Sequence, residues 1–186
     1  DQGFAFTNVV PDTEINRAER TVGVEFEVSK GPLTTINRIN IKGNTKTYDH
    51  VIRREMKLQE QERYSGTKMR RSQELLRRLG YFEEVNVSTQ PTADKDKVDI
   101  DVNVREGRTG TFSVGAGYST SDGMIFNTRV SEANLFGTGR RADLSVDVGT
   151  RRNNAVLSFE DPRFNDSYWR VGSDLFYTQR QYPDFN

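Results

Sequence analysis

"NLFGTGRRADLSVDVGTRRNNAVLSFEDPRF", Asn134 to Phe164, decides how the chain is to be read. Between its turns, apolar and polar residues alternate almost without a break. Ala142, Leu144, Val146 and Val148 fall on one side of an extended strand, with Asp143, Ser145 and Asp147 on the other. Ala155, Leu157 and Phe159 oppose Ser158 and Glu160 in the same way. Successive side chains of a strand point to opposite faces, so each segment has one apolar face and one polar face. Gly137 and Gly139 suit a tight hairpin, which needs φ > 0. The pattern is too weakly hydrophobic for an aqueous core and too regular for a loop.

The alternation continues on both sides. In "TGTFSVGAGYS", Phe112, Val114, Ala116 and Tyr118 oppose Thr111, Ser113, Gly115 and Gly117. In "IFNTRVSEA", Phe126, Thr128 and Val130 oppose Asn127, Arg129 and Ser131. "YWRVGSDLFYT" sets Trp169, Val171, Leu175 and Tyr177 against Arg170, Gly172 and Asp174. Strands of about ten residues separated by turns are the signature of a transmembrane β-barrel, apolar face to lipid and polar face to a wet lumen. A soluble sandwich or lipocalin-like barrel has the same period. Two features favour the membrane. Phe112, Tyr118, Phe159, Trp169 and Tyr177 fall mostly near strand ends, as interfacial girdles require. The polar face is rich in Gly, Ser and Thr as well as charge. Phe112, Val114, Leu144, Val146 and Phe159 are therefore expected to face lipid, and Arg129, Asp143 and Asp147 the lumen.

Composition removes several function classes. Of 186 residues, 33% are hydrophobic and 29% charged, with 27 basic and 27 acidic side chains. Divided at Gly107, the two parts carry 18 of each sign and 9 of each sign. Neither part has the basic surplus that binds nucleic-acid phosphates. No run approaches the ~18 apolar residues of a membrane helix, which excludes a helical span but not a barrel. With no cysteine there is no disulfide, thiolate nucleophile or Cys-ligated metal. No signal peptide is visible. The chain opens at Asp1 and stops at Asn186 without terminating logic, and is expected to be a piece of something longer.

Residues before Gly107 repeat. "VGVEFEVSKG" (Val22 to Gly31) parallels "VDIDVNVREG" (Val98 to Gly107), 76 positions later. "GFAFTNVV" (Gly3 to Val10) parallels "GYFEEVNV" (Gly80 to Val87), 77 positions later. Two elements in one order at nearly one offset point to a repeated module. Its second copy reads as a strand from Thr34 to the Gly43-Asn44 turn, then a helix in "TYDHVIRREMKL" with Thr47 as N-cap. A second helix follows, capped by Ser65, with Met69, Ser72, Leu76 and Leu79 on one face and Gly80 as its stop. Strands Phe82 to Thr89 and Val98 to Arg105 finish a β-α-α-β-β module.

"INIKGNTKTYDHVIRREM" and "RRLGYFEEVNV" resemble the POTRA domain of outer-membrane assembly proteins, over Pro32 to Gly107. "EANLFGTGRRADLSVDVG" resembles the N-x-F-G-x-G hairpin of the BamA-type family of outer-membrane insertases, and "FEDPRF" its next turn. The resemblance implies three parts: residues 1–31 as the last strands of a preceding POTRA, 32–107 as the last POTRA, and 108–186 as the first strands of an outer-membrane β-barrel. About five strands of a sixteen-stranded barrel would be present. It implies a protein that folds and inserts β-barrel clients at the bacterial outer membrane, with POTRA domains in the periplasm. Its partners would be unfolded outer-membrane proteins, accessory lipoproteins and outer-membrane lipid, with no cofactor and no nucleic acid. A POTRA-bearing secretion or translocation pore and a soluble periplasmic scaffold are the competing readings.

No residue set points to catalysis. His50, the only histidine, sits beside Asp49 at a helix start and reads as a surface side chain. Glu83-Glu84 and Asp99-Asp101 read as solvated strand faces, and Asp161 and Asp166 as turn residues around Pro162. "GAGYSTSDG" and "GTGRR" lack the helix that a phosphate-binding glycine loop needs. No metal site is expected. The expected sites act by contact. The strand Gly110 to Tyr118, with Gly110, Gly115 and Gly117 weakening its pairing, is read as a lateral gate that templates client strands. Phe82, Glu83, Glu84, Val85, Asn86 and Val87 are read as a sheet edge open to an extended segment. Arg53, Arg54, Glu55 and Glu60 match the region that, by the resemblance, docks an accessory lipoprotein. Asn134, Phe136, Gly137 and Gly139 form the periplasmic hairpin.

Overall fold

The computed structural model describes residues 3–16, 20–121 and 123–181. They form two compact units, one gathering 1–42, 56–76 and 85–104, the other 43–55, 77–84 and 105–186. These units cut across the segment read as one module, because residues 43–55 and 77–84 make hydrogen bonds to the long hairpin described below.

In the first unit, β1 (Thr7–Asn16) and β2 (Thr21–Lys30) pair as an antiparallel ribbon with Val9 opposite Val28, Pro11 opposite Phe26 and Ile15 opposite Val22. Its apolar face is open: Ile15, Val22 and Phe26 are 60% or more exposed. A three-stranded sheet has the order β3-β5-β4, from β3 (Thr35–Lys42), β4 (Phe82–Pro91) and β5 (Lys97–Glu106). β5 lies between the other two and runs parallel to β3. Its alternation points Val98, Ile100, Val102 and Val104 inward, all 7% exposed or less. Ile36, Leu58, Leu76, Val85 and Val87 are buried in the same unit.

The first helix is shorter than the sequence spacing predicts. α1 covers only Asp49–Arg53, and Tyr48 rather than Thr47 is its N-cap, with no side-chain cap bond. Met56 and Leu58 are still buried; the irregular chain after Arg54 puts them inside without helical backbone. α2 (Gly66–Arg78) matches expectation. Ser65 Oγ accepts the Lys68 amide at 3.1 Å, and Gly80, at φ 73°, ends the helix with its N–H on Arg77 O. Ser72, read as one of the helix's inward residues, is fully buried and satisfied: its hydroxyl donates to Lys68 O and accepts from Lys57 N, both at 2.8 Å.

The second unit contains a five-stranded antiparallel sheet in chain order: β6 (Gly110–Ser119), β7 (Gly123–Leu135), β8 (Arg140–Gly149), β9 (Arg152–Asp161) and β10 (Val171–Arg180). The register lines up Phe112, Val130, Leu144, Leu157 and Leu175 as one apolar row across all five strands. The neighbouring row on that face is Val114, Thr128, Val146, Ala155 and Tyr177. On the other face Gly115, Asn127, Asp147, Asn154 and Thr178 line up. Val156 and Phe176 interrupt that polar face as a cross-strand pair. Neither face covers a core. Among the described residues from Gly110 to Gln181 only Asn134, Gly137, Gly139 and Asp161 are buried.

Candidate functional site

All four of those buried residues lie at one end of the sheet, in the β7–β8 hairpin and the end of β9. The hairpin tip is Phe136–Gly139, with φ of 52° at Phe136, 76° at Gly137 and 74° at Gly139. Asn134 organises it. Its side-chain oxygen accepts the Gly139 amide at 2.8 Å, while its backbone oxygen accepts the Gly137 amide at 3.0 Å. Its side-chain nitrogen donates to Thr47 Oγ1 at 2.9 Å, a bond buried from solvent. Thr47 is thus a hairpin partner, which is why it does not cap α1. Asparagine suits this position because one amide supplies both donor and acceptor.

Backbone packing brings the segment 45–48 against the tip. Tyr48 N donates to Gly137 O at 3.0 Å, and a Cβ at Gly137 would overlap Lys46 O. Tyr81, 6% exposed, sends its hydroxyl to Gly139 O at 3.3 Å. Burial pushes its phenol up, with the nearby Arg54 charge opposing. Glu106 holds the other side of the same segment, accepting from the Thr45 hydroxyl at 2.7 Å and from the amides of Lys46 and Thr47 at 2.9 and 2.6 Å. Burial pushes the Glu106 carboxyl up, but these donors outweigh it and hold it below its usual range. A cavity of about 500 Å³ lies among Thr47, Tyr81, Glu106, Glu132, Leu135 and Phe136.

Four charges tie the β9–β10 turn to residues 54–55. Arg163 donates from Nε and Nη2 to the two Glu55 oxygens, each at 2.8 Å, and Arg54 Nη1 donates to Asp166 at 3.0 Å. Asp161 accepts the Arg163 amide and Arg140 Nε, both at 3.0 Å. The Arg163 guanidinium, 4.6 Å above the Tyr168 ring, is held charged by Glu55. The arrangement consists of hydrogen-bonded clamps. Among the described residues no cluster of three or more His, Asp or Glu side chains could hold a metal.

Residues 34–107 match the POTRA family, described as a surface antigen variable number repeat. Residues 134–186 match the Omp85 superfamily domain. The outer membrane protein assembly factor BamA of Nitratidesulfovibrio vulgaris is 36% identical over all of this chain, and that of Neisseria meningitidis 34% identical over 94% of it. The chain belongs to the BamA-type family. It spans about a quarter of those relatives' lengths, 24% and 22%. The crystal structure of BamA from Haemophilus ducreyi lacking POTRA domains 1–3 matches 97% of this chain and 34% of its own at a TM-score of 0.83 and 29% identity. CdiB from Acinetobacter baumannii matches at a TM-score of 0.55 and 13% identity over 95% of this chain and 33% of its own, a likeness of fold alone.

In this BamA-type chain the hairpin residues Asn134, Gly137 and Gly139 converge on one network, and Phe136 at its tip is 85% exposed. The residues read from the sequence as a docking face separate. Glu55 is buried and Arg54 half-buried, both committed to the β9–β10 turn, so neither is presented on a solvated helix surface. The reason is partners 108 and 112 positions away, invisible to local spacing. Arg53 and Glu60 are exposed. Arg53 pairs with Asp49, and Glu60 accepts the Ile39 amide at 3.0 Å. Asp161 and Asp166 belong to the clamp rather than to turn chemistry alone. His50 stacks on Tyr48 with ring centroids 5.7 Å apart. Asp99 and Asp101 bond Asn37 and Asn40, and Glu83 and Glu84 face Arg105.

Proposed function

We propose that this chain is the membrane-proximal part of an outer-membrane assembly factor that folds and inserts β-barrel proteins by contact, without chemical catalysis. One observation carries the reading: five consecutive antiparallel strands bear a continuous apolar row and bury no apolar side chain on either face. In water such a sheet would lack its main stabilising term, whereas lipid solvates the apolar rows directly. The sheet is the start of an outer-membrane barrel, and residues 32–107 are the periplasmic POTRA next to it. Residues 1–31 end a preceding POTRA, whose helices would cover the open face of β1 and β2.

Clients enter at β6. Supporting this, β6 pairs with β7 alone among the described strands, and its Gly110, Gly115 and Gly117 offer few side chains to hold a permanent seam. An unpaired backbone edge inside lipid costs several kcal/mol per unsatisfied group, about what an incoming client strand would relieve by β-augmentation. β4, an edge strand of its sheet, is a second place for an extended client or partner segment. Accessory lipoproteins dock beside Arg53. A disulfide joining β6 to the closing strand of the full-length barrel is expected to abolish insertion of client barrels, with activity returning on reduction. Full insertion by the locked protein would refute the gate.

A further inference from the structure

Arg54 and Glu55 are adjacent and opposite in charge, and their partners in the β9–β10 turn, Asp166 and Arg163, are likewise opposite in charge. Arg54 meets Asp166 and Glu55 meets Arg163, all three distances lying between 2.8 and 3.0 Å. Two neighbouring pairs of opposite polarity form a key. A slip that brought Arg54 towards Arg163, or Glu55 towards Asp166, would set like charges together. The turn is built to present this key. Asn165 and Asp166 both adopt positive φ, 52° and 55°, and Asp161 anchors the Arg163 backbone at 3.0 Å.

The two pairs differ in exposure and completeness. In the inner pair the side chains of Arg163 and Glu55 are 22% and 8% exposed, and the contact is bidentate. In the outer pair Asp166 is 58% exposed and Arg54 12%. Arg54 Nε is buried with no hydrogen-bond partner, so the closed arrangement leaves this guanidinium incompletely satisfied. A merely structural staple would gain from apolar residues at these positions, since buried ion pairs are poor stabilisers but good register devices. We propose that Arg54, Glu55, Arg163 and Asp166 form a reversible clasp that holds the segment 43–55 to the turn end of the sheet. The outer pair releases first, and the inner pair then frees the segment. Salt reaches the outer pair readily, since the screening length falls to roughly 3 Å at 1 M.

The test uses the full-length protein in detergent, with any cysteine elsewhere replaced and spin labels at Asp49→Cys and Phe164→Cys. Because the labels read distance, the result is separate from whether the protein inserts client barrels. At low salt one short-distance population is expected. Raising salt to about 1 M should move part of it to longer distances. Glu55→Arg or Arg163→Glu alone should shift most of it at low salt, and the double swap Glu55→Arg/Arg163→Glu should bring the short distance back. Should either charge reversal fail to fold, Glu55→Gln and Asp166→Asn remove charge at constant volume and should lower the salt concentration at which the pair opens. A wild-type distance insensitive to salt, a double swap no better than its single variants, or an unchanged opening midpoint in the neutral variants would overturn the clasp.

Discussion

Gly137 carries two constraints at once, a φ of 76° and the approach of Lys46 O to where a Cβ would stand. Gly137→Ala is expected to cost about 1–3 kcal/mol for the left-handed backbone alone, with the overlap adding to it. Gly117→Ala is its control, because nothing lies within 4 Å of a Cβ there. Thermal unfolding of the full-length protein in detergent should separate the two, and equal midpoints would contradict the packing described at the tip. A pH effect belongs to Glu106. Its folded carboxyl titrates below the usual value near 4.5, so the bonds it accepts are present above that value and fade as pH falls through the lower, folded one. Hydrogen exchange at Lys46 and Thr47, corrected for intrinsic rates, should lose protection on acidification, and Glu106→Gln should lack that pH dependence. The glycine requirement was legible in the sequence as a tight turn. The Lys46 contact and the Asn134–Thr47 bond were not, since 87 residues separate that pair and no local pattern records it.

At the scale of elements, the period-two reading survived because a strand has only two faces and a slip of one residue would exchange them all. The rows through Leu144 and through Asp147 follow that rule on all five strands, with Val156 and Phe176 as the exception. Helical reading was less secure. Val51, Ile52 and Met56 have helical spacing, yet α1 stops at Arg53 because the chain is diverted to the clasp at Arg54 and Glu55. A short helix is bounded by tertiary partners more than by propensity. The face assignment gives a sharp contrast. Leu144→Arg puts a charge on the apolar row and is expected to cost roughly 2–4 kcal/mol if that row sits near the bilayer midplane. Ser145→Arg, one residue along, points to the polar face and should be nearly neutral. Folding yield into lipid vesicles, read by heat-modifiable gel mobility, measures both, and equal losses would count against a lipid-facing row.

For the whole molecule, the stabilising terms fall in different places. Among the described residues, every buried apolar side chain lies between Ile36 and Val104, while the strands from Gly110 onward bury none. The first set draws on removal of apolar surface from water; the second draws on lipid or detergent. One denaturant therefore acts on two different driving forces, and a single two-state transition is not expected. In detergent, urea should first unfold the part that includes Leu76 and Ile100, with the sheet persisting to higher concentration. Leu76→Ala, at a fully buried site, should lower the first midpoint by an amount corresponding to about 2–5 kcal/mol and leave the second unchanged. Leu144→Arg should do the reverse. Fluorescence of Trp169, the one tryptophan in these 186 residues, which precedes β10, reports the second event once any tryptophan elsewhere in the full-length protein is replaced. Far-ultraviolet circular dichroism follows both, α2 contributing to the first. Coincident transitions by both probes, or a Leu76→Ala variant that moves both midpoints equally, would show that the two sources of stability act as one.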